Sequence, residues 1–393
     1  MEITLSGKTA LFVMRSLRAS RTAPGAWGKR VDLIPPDPAP SMRFTKKLFD
    51  MPAIGFALSS EEPLSICVAV PDKASRLRMK GARNIIYGSA QSLPAHPFIE
   101  VAQGLAISCP ELIFLEMAAK MTMERLVMLG HELCGSFSRN PHDPRNGNVM
   151  LWCPPATSSG RIEEFIRATK WNAQAERALR ALSFVSDGAW SPTESIIATM
   201  VNLPYEEFGY GLGRCELNKK VDTSVELANA IGKNDRRPDL LFKDAPVGLN
   251  YDGAVHLDLD KIAQAAINLE RSPEEAAAQQ TLDAVIAEVR AKAVDDIRRN
   301  RELAAAGYIV FPVTKEDLYE NGGLDTVMLQ AMKTIENLTG KNLSEQKRLL
   351  GIRFCREKRQ DIIWSLLPGT HAHARKRVRE TGGPRIIEVQ IGF

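Results

Sequence analysis

The sequence predicts an α/β chain, α+β overall, in which a smaller N-terminal α+β domain precedes a larger C-terminal domain with the element order helix, strand, strand, helix, strand, helix. Three observations carry this expectation. Two short apolar runs, 239–242 and 247–251, flank the polar stretch Lys243-Asp244-Ala245-Pro246 and read as a hairpin. A long helical period over 272–305 is followed by Gly307 and the apolar run 308–313. Upstream, residues 64–133 hold short apolar strands and then two helices.

At 393 residues the chain has room for two or three domains, and 44% hydrophobic with 25% charged residues is ordinary globular composition. Lys and Arg number 51 against 47 Asp and Glu, so the net charge is +4, compatible with a nucleic-acid partner without demanding one. The six cysteines are scattered with no Cys-x-x-Cys pair, which reads as reduced thiols in a cytoplasmic protein. No apolar run reaches the roughly 18 residues needed to span a bilayer, so no membrane partner is expected.

In chain order, residues 1–20 read as a helix with Ala10, Leu11, Val13, Met14 and Leu17 on one face, and a Pro-rich arm completes a segment 1–50. Ser6-Gly7-Lys8-Thr9 lacks the earlier glycine of a phosphate-binding loop, because Glu2 stands there. Residues 51–150 form the small α+β module, with strands at 64–70, 84–87 and 98–107. Pro110 opens one helix, and a second runs over 122–133. Prolines and glycines over 141–160 mark a boundary, after which 160–340 forms the larger domain.

That domain opens with helices at 162–169 and 173–185. Ser191-Pro192-Thr193-Glu194 then places an N-cap Ser, Pro at the first position and Glu at the third, a capping signature ahead of a third helix. Residues 216–221 read as a strand, and the stretch after Lys261, up to Ser272, as a loop or short helix. Leu282, Val285, Ile286, Val289, Ala293 and Ile297 should form the buried stripe of the long helix, and 308–313 a buried strand. Helices follow at 315–320 and 324–338. Residues 341–393 read as a basic tail, with twelve Lys or Arg against five Asp or Glu.

Asp239 opens the first strand of the hairpin, and Asn250 and Asp252 lie two apart on the second, hence on one face. Convergence of these three with His256 would suit a hard divalent cation held by oxygen ligands. Pro238-Asp239, Asp252-Gly253 and His256 resemble the core of the PD-(D/E)XK nuclease superfamily, in its very-short-patch-repair-like endonuclease branch. Asp296, Arg299, Leu303, Gly307 and Val310 match the later helix and strand of the same pattern. Asn250 stands where that family usually has Glu.

The resemblance implies a three-layer, restriction-endonuclease-like αβββαβ core in the C-terminal domain and a metal-dependent DNA endonuclease acting in phage defence or repair. Mg²⁺ or Mn²⁺ would sit on Asp239, Asp252 and Asn250, with Glu194 reaching it through water and His256 as general base or phosphate positioner. Arg236, Arg237 and Arg299 near the site, and Arg353, Arg356, Arg359, Arg375, Lys376 and Arg377 in the tail, would contact DNA phosphates, unless Arg299 instead pairs with Asp296 one turn earlier. The helical stretch 107–137 resembles the middle module of abortive-infection-type antitoxin proteins, which implies a cognate toxin or defence partner. Together with Asn250, it keeps open the alternative of a catalytically impaired nuclease-fold DNA-binding regulator.

Overall fold

Ile3, Thr4 and Leu5 are each no more than 1% exposed, and these three residues form a strand instead of the first turn of the expected helix. The computed structural model describes residues 2–36, 66–78, 81–88, 93–170, 174–222, 226, 229, 235–252, 254–271 and 276–369. It divides the chain into two compact units, Met1–Leu203 with Leu366–Pro368, and a second built mainly of Pro204–Ser365.

In the first unit, β1 (Ile3–Leu5) is flanked on both sides by strands, which is why local helical periodicity does not prevail there. It leads into α1 (Gly7–Ala19) and is joined by β2 (Lys29–Val31), β3 (Ile66–Val70), β4 (Ala82–Ile86), β5 (Phe98–Ala102) and β6 (Leu105–Ser108). The mixed sheet has the order β2-β5-β6-β1-β3-β4. β1 runs parallel to β6 and antiparallel to β3. Within the expected N-terminal segment 1–50, β1 and β2 thus belong to this sheet, and residues 37–50 lie outside the described residues.

The helices of this unit are α2 (Pro110–Ala118), α3 (Met123–Leu133), α4 (Ser159–Ala168), α5 (Ala175–Leu182) and α6 (Pro192–Asn202). A small hairpin of β7 (Phe137–Ser138) and β8 (Met150–Leu151) lies among them. One apolar core extends from Ile3 to Leu203. The expected boundary at 141–160 thus does not separate domains, and the division falls between Leu203 and Pro204. Buried polar pairing explains the continuity. Arg18 donates to the carbonyls of Glu132, Gly135 and Pro154, and Arg15 makes a two-pronged pair with Glu132 at 2.8 and 2.6 Å.

The second unit contains β9 (Glu216–Leu217), β10 (Val221–Asp222), β11 (Asp235–Arg236), β12 (Leu240–Leu241) and β13 (Val247–Asp252). Next come α7 (Ala254–Arg271), α8 (Ala276–Ala305) and β14 (Ile309–Thr314). The main sheet has the order β14-β13-β12-β9. β9, β12 and β13 form an antiparallel meander, and β14 lies parallel to β13 after the helical connection.

Three expectations change here. Residues 262–271 belong to an 18-residue helix, because Ala, Gln and Leu favour helix and α8 supplies a face to pack on. The apolar stripe of α8 is only half-buried over 282–289, and Ile297 is 60% exposed, since only the C-terminal end of the helix meets the small cluster of Leu241, Leu303 and Val221. β14 is an edge strand with Ile309 exposed, which also explains why Pro312 is tolerated within it.

The unit closes with α9 (Lys315–Tyr319), α10 (Gly323–Thr339), α11 (Ser344–Leu350) and α12 (Arg353–Leu366). The expected tail is thus structured through 366. Arg359 on α12 grips Asp325 on α10 with two bonds of 2.8 Å, and the Tyr210 hydroxyl donates to the same carboxylate at 2.8 Å. No helix among the described residues is long and apolar enough to cross a membrane.

Candidate functional site

The hairpin of β12 and β13 turns through Asp244, whose φ of +64° is tolerated by Asp better than by most residues. Gly248 is required opposite Leu241, because a Cβ there would lie 2.5 Å from the Leu240 carbonyl oxygen. The pairing Leu240↔Leu249 sets Asp239 across from Asn250, as the two-residue strand period anticipates.

Side chain to backbone bonds join the two strands here. Asp239 donates its backbone N–H to Asn250 Oδ1 at 3.0 Å, and Asp239 Oδ2 accepts the backbone N–H of Tyr251 at 2.6 Å. A backbone N–H can only donate, so the carbonyl oxygen of the Asn250 amide must face it. The amide nitrogen then points to Asn300 on α8 and donates to its Oδ1 at 3.1 Å. Asn250 is 2% exposed, and its side chain ties β12, β13 and α8 together.

This arrangement tests the fit of a hard cation. Asp239 and Asp252 are half-buried carboxylates on paired strands, suitable as oxygen ligands. Asn250 does not suit that role here, because its oxygen is engaged by the Asp239 N–H. Among the described residues no group of three or more His, Cys, Asp or Glu is placed to hold a metal ion. His256 falls in the first turn of α7, and its side chain lies outside the described residues.

Glu194 belongs to the first unit, whereas Asp239, Asn250 and Asp252 belong to the second. Its carboxylate accepts from the Trp190 N–H at 3.0 Å and the Ser191 hydroxyl at 2.9 Å. Ser191 Oγ accepts the Glu194 N–H at 3.2 Å. This is the capping geometry at the start of α6, and it occupies the carboxylate.

The basic candidates divide by environment. Arg236 is buried and paired with Glu302, with Asp295 3.6 Å away, so it braces β11 against α8. Arg299 pairs with Asp296 one turn earlier at 3.0 Å. Arg359 is 3% exposed and held by Asp325, so neither it nor Arg236 presents a free cation to a phosphate. Arg353 is exposed and paired with Glu357 at 2.7 Å, while Arg356 is half-buried beside Gly322. Arg237 is exposed next to Asp239, with Asp235 3.8 Å away. Arg375, Lys376 and Arg377 lie outside the described residues.

Asn300 escapes the sequence reading, although it falls on the same helical face as Leu282 and Val289. A polar residue in an apolar stripe was its only signal.

The first unit holds a second set of buried charged groups. Desolvation raises the pKa of the Glu116 carboxyl to about 7, although Tyr87, Ser108 and the Gly7 N–H all donate to it. Glu132 is desolvated too, but Arg15 outweighs that and holds it at about 2. His131, beside Glu132, is buried with Nδ1 3.2 Å from the Ser195 carbonyl and 3.3 Å from the Thr199 hydroxyl, a packed structural position.

An antiparallel meander extended by one parallel strand after a helical connection defines the second unit as a mixed α/β domain. Comparison with protein-family models, with curated proteins and with solved structures finds no match to the chain.

Proposed function

We propose that residues 204–365 are a nuclease-like scaffold that associates with DNA without hydrolysing it. The observation that carries this reading is the engagement of both ends of the Asn250 side chain, Oδ1 by Asp239 and Nδ2 by Asn300. At the position where the resembled superfamily uses an acid, this chain has a neutral, buried structural link. The meander with its parallel fourth strand supports the scaffold part of the reading, since it follows the βββαβ order that the resemblance implies. The helix expected ahead of that core, α6, packs in the other unit. Association with DNA is supported by Arg237 beside the hairpin and by the net +7 charge of residues 341–393.

A second reading, a Mg²⁺- or Mn²⁺-dependent endonuclease, is favoured by the two half-buried carboxylates Asp239 and Asp252. Asp258, Asp260 and His256 follow closely in the chain, with side chains outside the described residues. Two assays separate the readings. Duplex binding by fluorescence anisotropy should weaken steeply between about 50 and 200 mM salt, and should weaken further when residues 370–393 are removed. Incubation with supercoiled plasmid and either metal should leave the plasmid intact. Nicking that EDTA abolishes would establish the second reading, and loss of DNA binding altogether would overturn the first.

A further inference from the structure

We propose that the hairpin of α7 and α8 is a self-association arm, which pairs with the same hairpin of a second copy to form an antiparallel four-helix bundle. The two helices pack along one another, yet they leave apolar surface uncovered. Ile297 is 60% exposed, Val294 45% and, on α7, Ile267 42%. Leu282, Ile286 and Val289 are half-buried where a three-layer core would bury them. Two helices alone cannot cover an apolar stripe on both sides, and bundles solve this by adding a further pair.

The uncovered face of α8 is defined by its own periodicity. Ile297 lies eleven residues beyond Ile286, three turns on and within about 20° of the same direction at 3.6 residues per turn. Asp283 and Arg290, both exposed, bracket Ile286 on the same side of the helix and are separated by two turns.

The charges select the occupant. Asp283 and Arg290 have opposite sign and lie equidistant from a point beside Ile286. A twofold axis through that point sets Asp283 of one copy against Arg290 of the other, twice, and brings the two Ile286 side chains together. A surface that is its own complement under a twofold rotation fits an isologous dimer. A partner of uniform charge would leave one of the two residues facing a like charge.

The test is sedimentation velocity and light scattering on the full chain over a range of micromolar concentrations. The expected result is a concentration-dependent species of twice the 43.4 kDa chain mass. Asp283→Arg should weaken dimerisation at least tenfold by opposing like charges, and Asp283→Arg with Arg290→Asp should restore it. Ile297→Lys with Ile267→Lys should also weaken it at least tenfold, with helicity checked by circular dichroism. The charge-swapped pair serves as the folding control, because restoration requires a folded arm. A monomer at every concentration, or a dimer indifferent to both sets of substitutions, would overturn the proposal.

Discussion

Asn250 holds Asp239 across the β12–β13 hairpin, its amide oxygen accepting the Asp239 backbone N–H at 3.0 Å. Asn250→Ala would orphan that N–H and the Asn300 amide in a partly buried setting. Each unmet buried group costs about 1–3 kcal/mol, so we expect destabilisation of that order in urea unfolding. Asn300→Ala breaks only the Asn250–Asn300 bond and leaves the Asp239 contact in place, so its loss should be smaller. Equal loss from both would show that the Asp239 contact contributes nothing.

Glu132 sets an acid limit on the first unit. Arg15 holds its carboxyl at about 2 in the folded chain, below the ordinary 4.5. A depressed carboxylate stabilises above the unfolded value, and the benefit is lost as pH falls from about 4.5 through about 2. Arg15→Met leaves the carboxylate buried without its partner and should cost about 3–5 kcal/mol at neutral pH. Chemical denaturation measured across pH 2–7 (roughly the span of both carboxylates) checks both statements.

Glu116 carries the opposite sign. Its carboxyl is raised to about 7, so the folded chain binds this proton more tightly than the unfolded one. Stability from this group is full below about 4.5 and declines as pH rises through about 7. Glu116→Gln should remove that decline while keeping an oxygen for the Gly7 N–H. A pH profile unchanged by the substitution would show that Glu116 is not the group responsible.

Asp325 fastens α12 to α10 through Arg359 and Tyr210. Asp325→Ala leaves the Arg359 guanidinium buried without its anion, at a cost of about 3–5 kcal/mol. We expect new proteolytic cleavage over 340–352, detected by mass spectrometry. Substitution of the exposed pair Arg353 and Glu357 should leave the cleavage pattern unchanged.

Local signals made parts of both units legible. The turn at 243–246, the cap at Ser191, Gly307 at the end of α8 and Pro110 at the start of α2 all act within a few residues, and each element formed near its expected place. Features fixed by distant partners were not legible. Residues 3–5 became a strand because β3 and β6 border them, and the division at 203/204 reflects a core closed by residues from Ile3 onward. Arg236 and Arg359 looked like surface cations, since their partners Glu302 and Asp325 lie 66 and 34 residues away. The strand period placed Asp239 opposite Asn250, but only the structure supplied Asn300 as the third member.

The most direct measurement is plasmid nicking by the full chain in Mg²⁺ or Mn²⁺, run beside Asn250→Glu and beside Asp239→Ala with Asp252→Ala. If Asn250 serves as a structural link in a non-cleaving scaffold, the wild-type chain binds the plasmid and leaves it supercoiled in both metals. Metal-dependent nicking by the wild-type chain, abolished by EDTA and by the paired aspartate substitutions, would contradict that reading and establish an endonuclease that works with Asn250 in place.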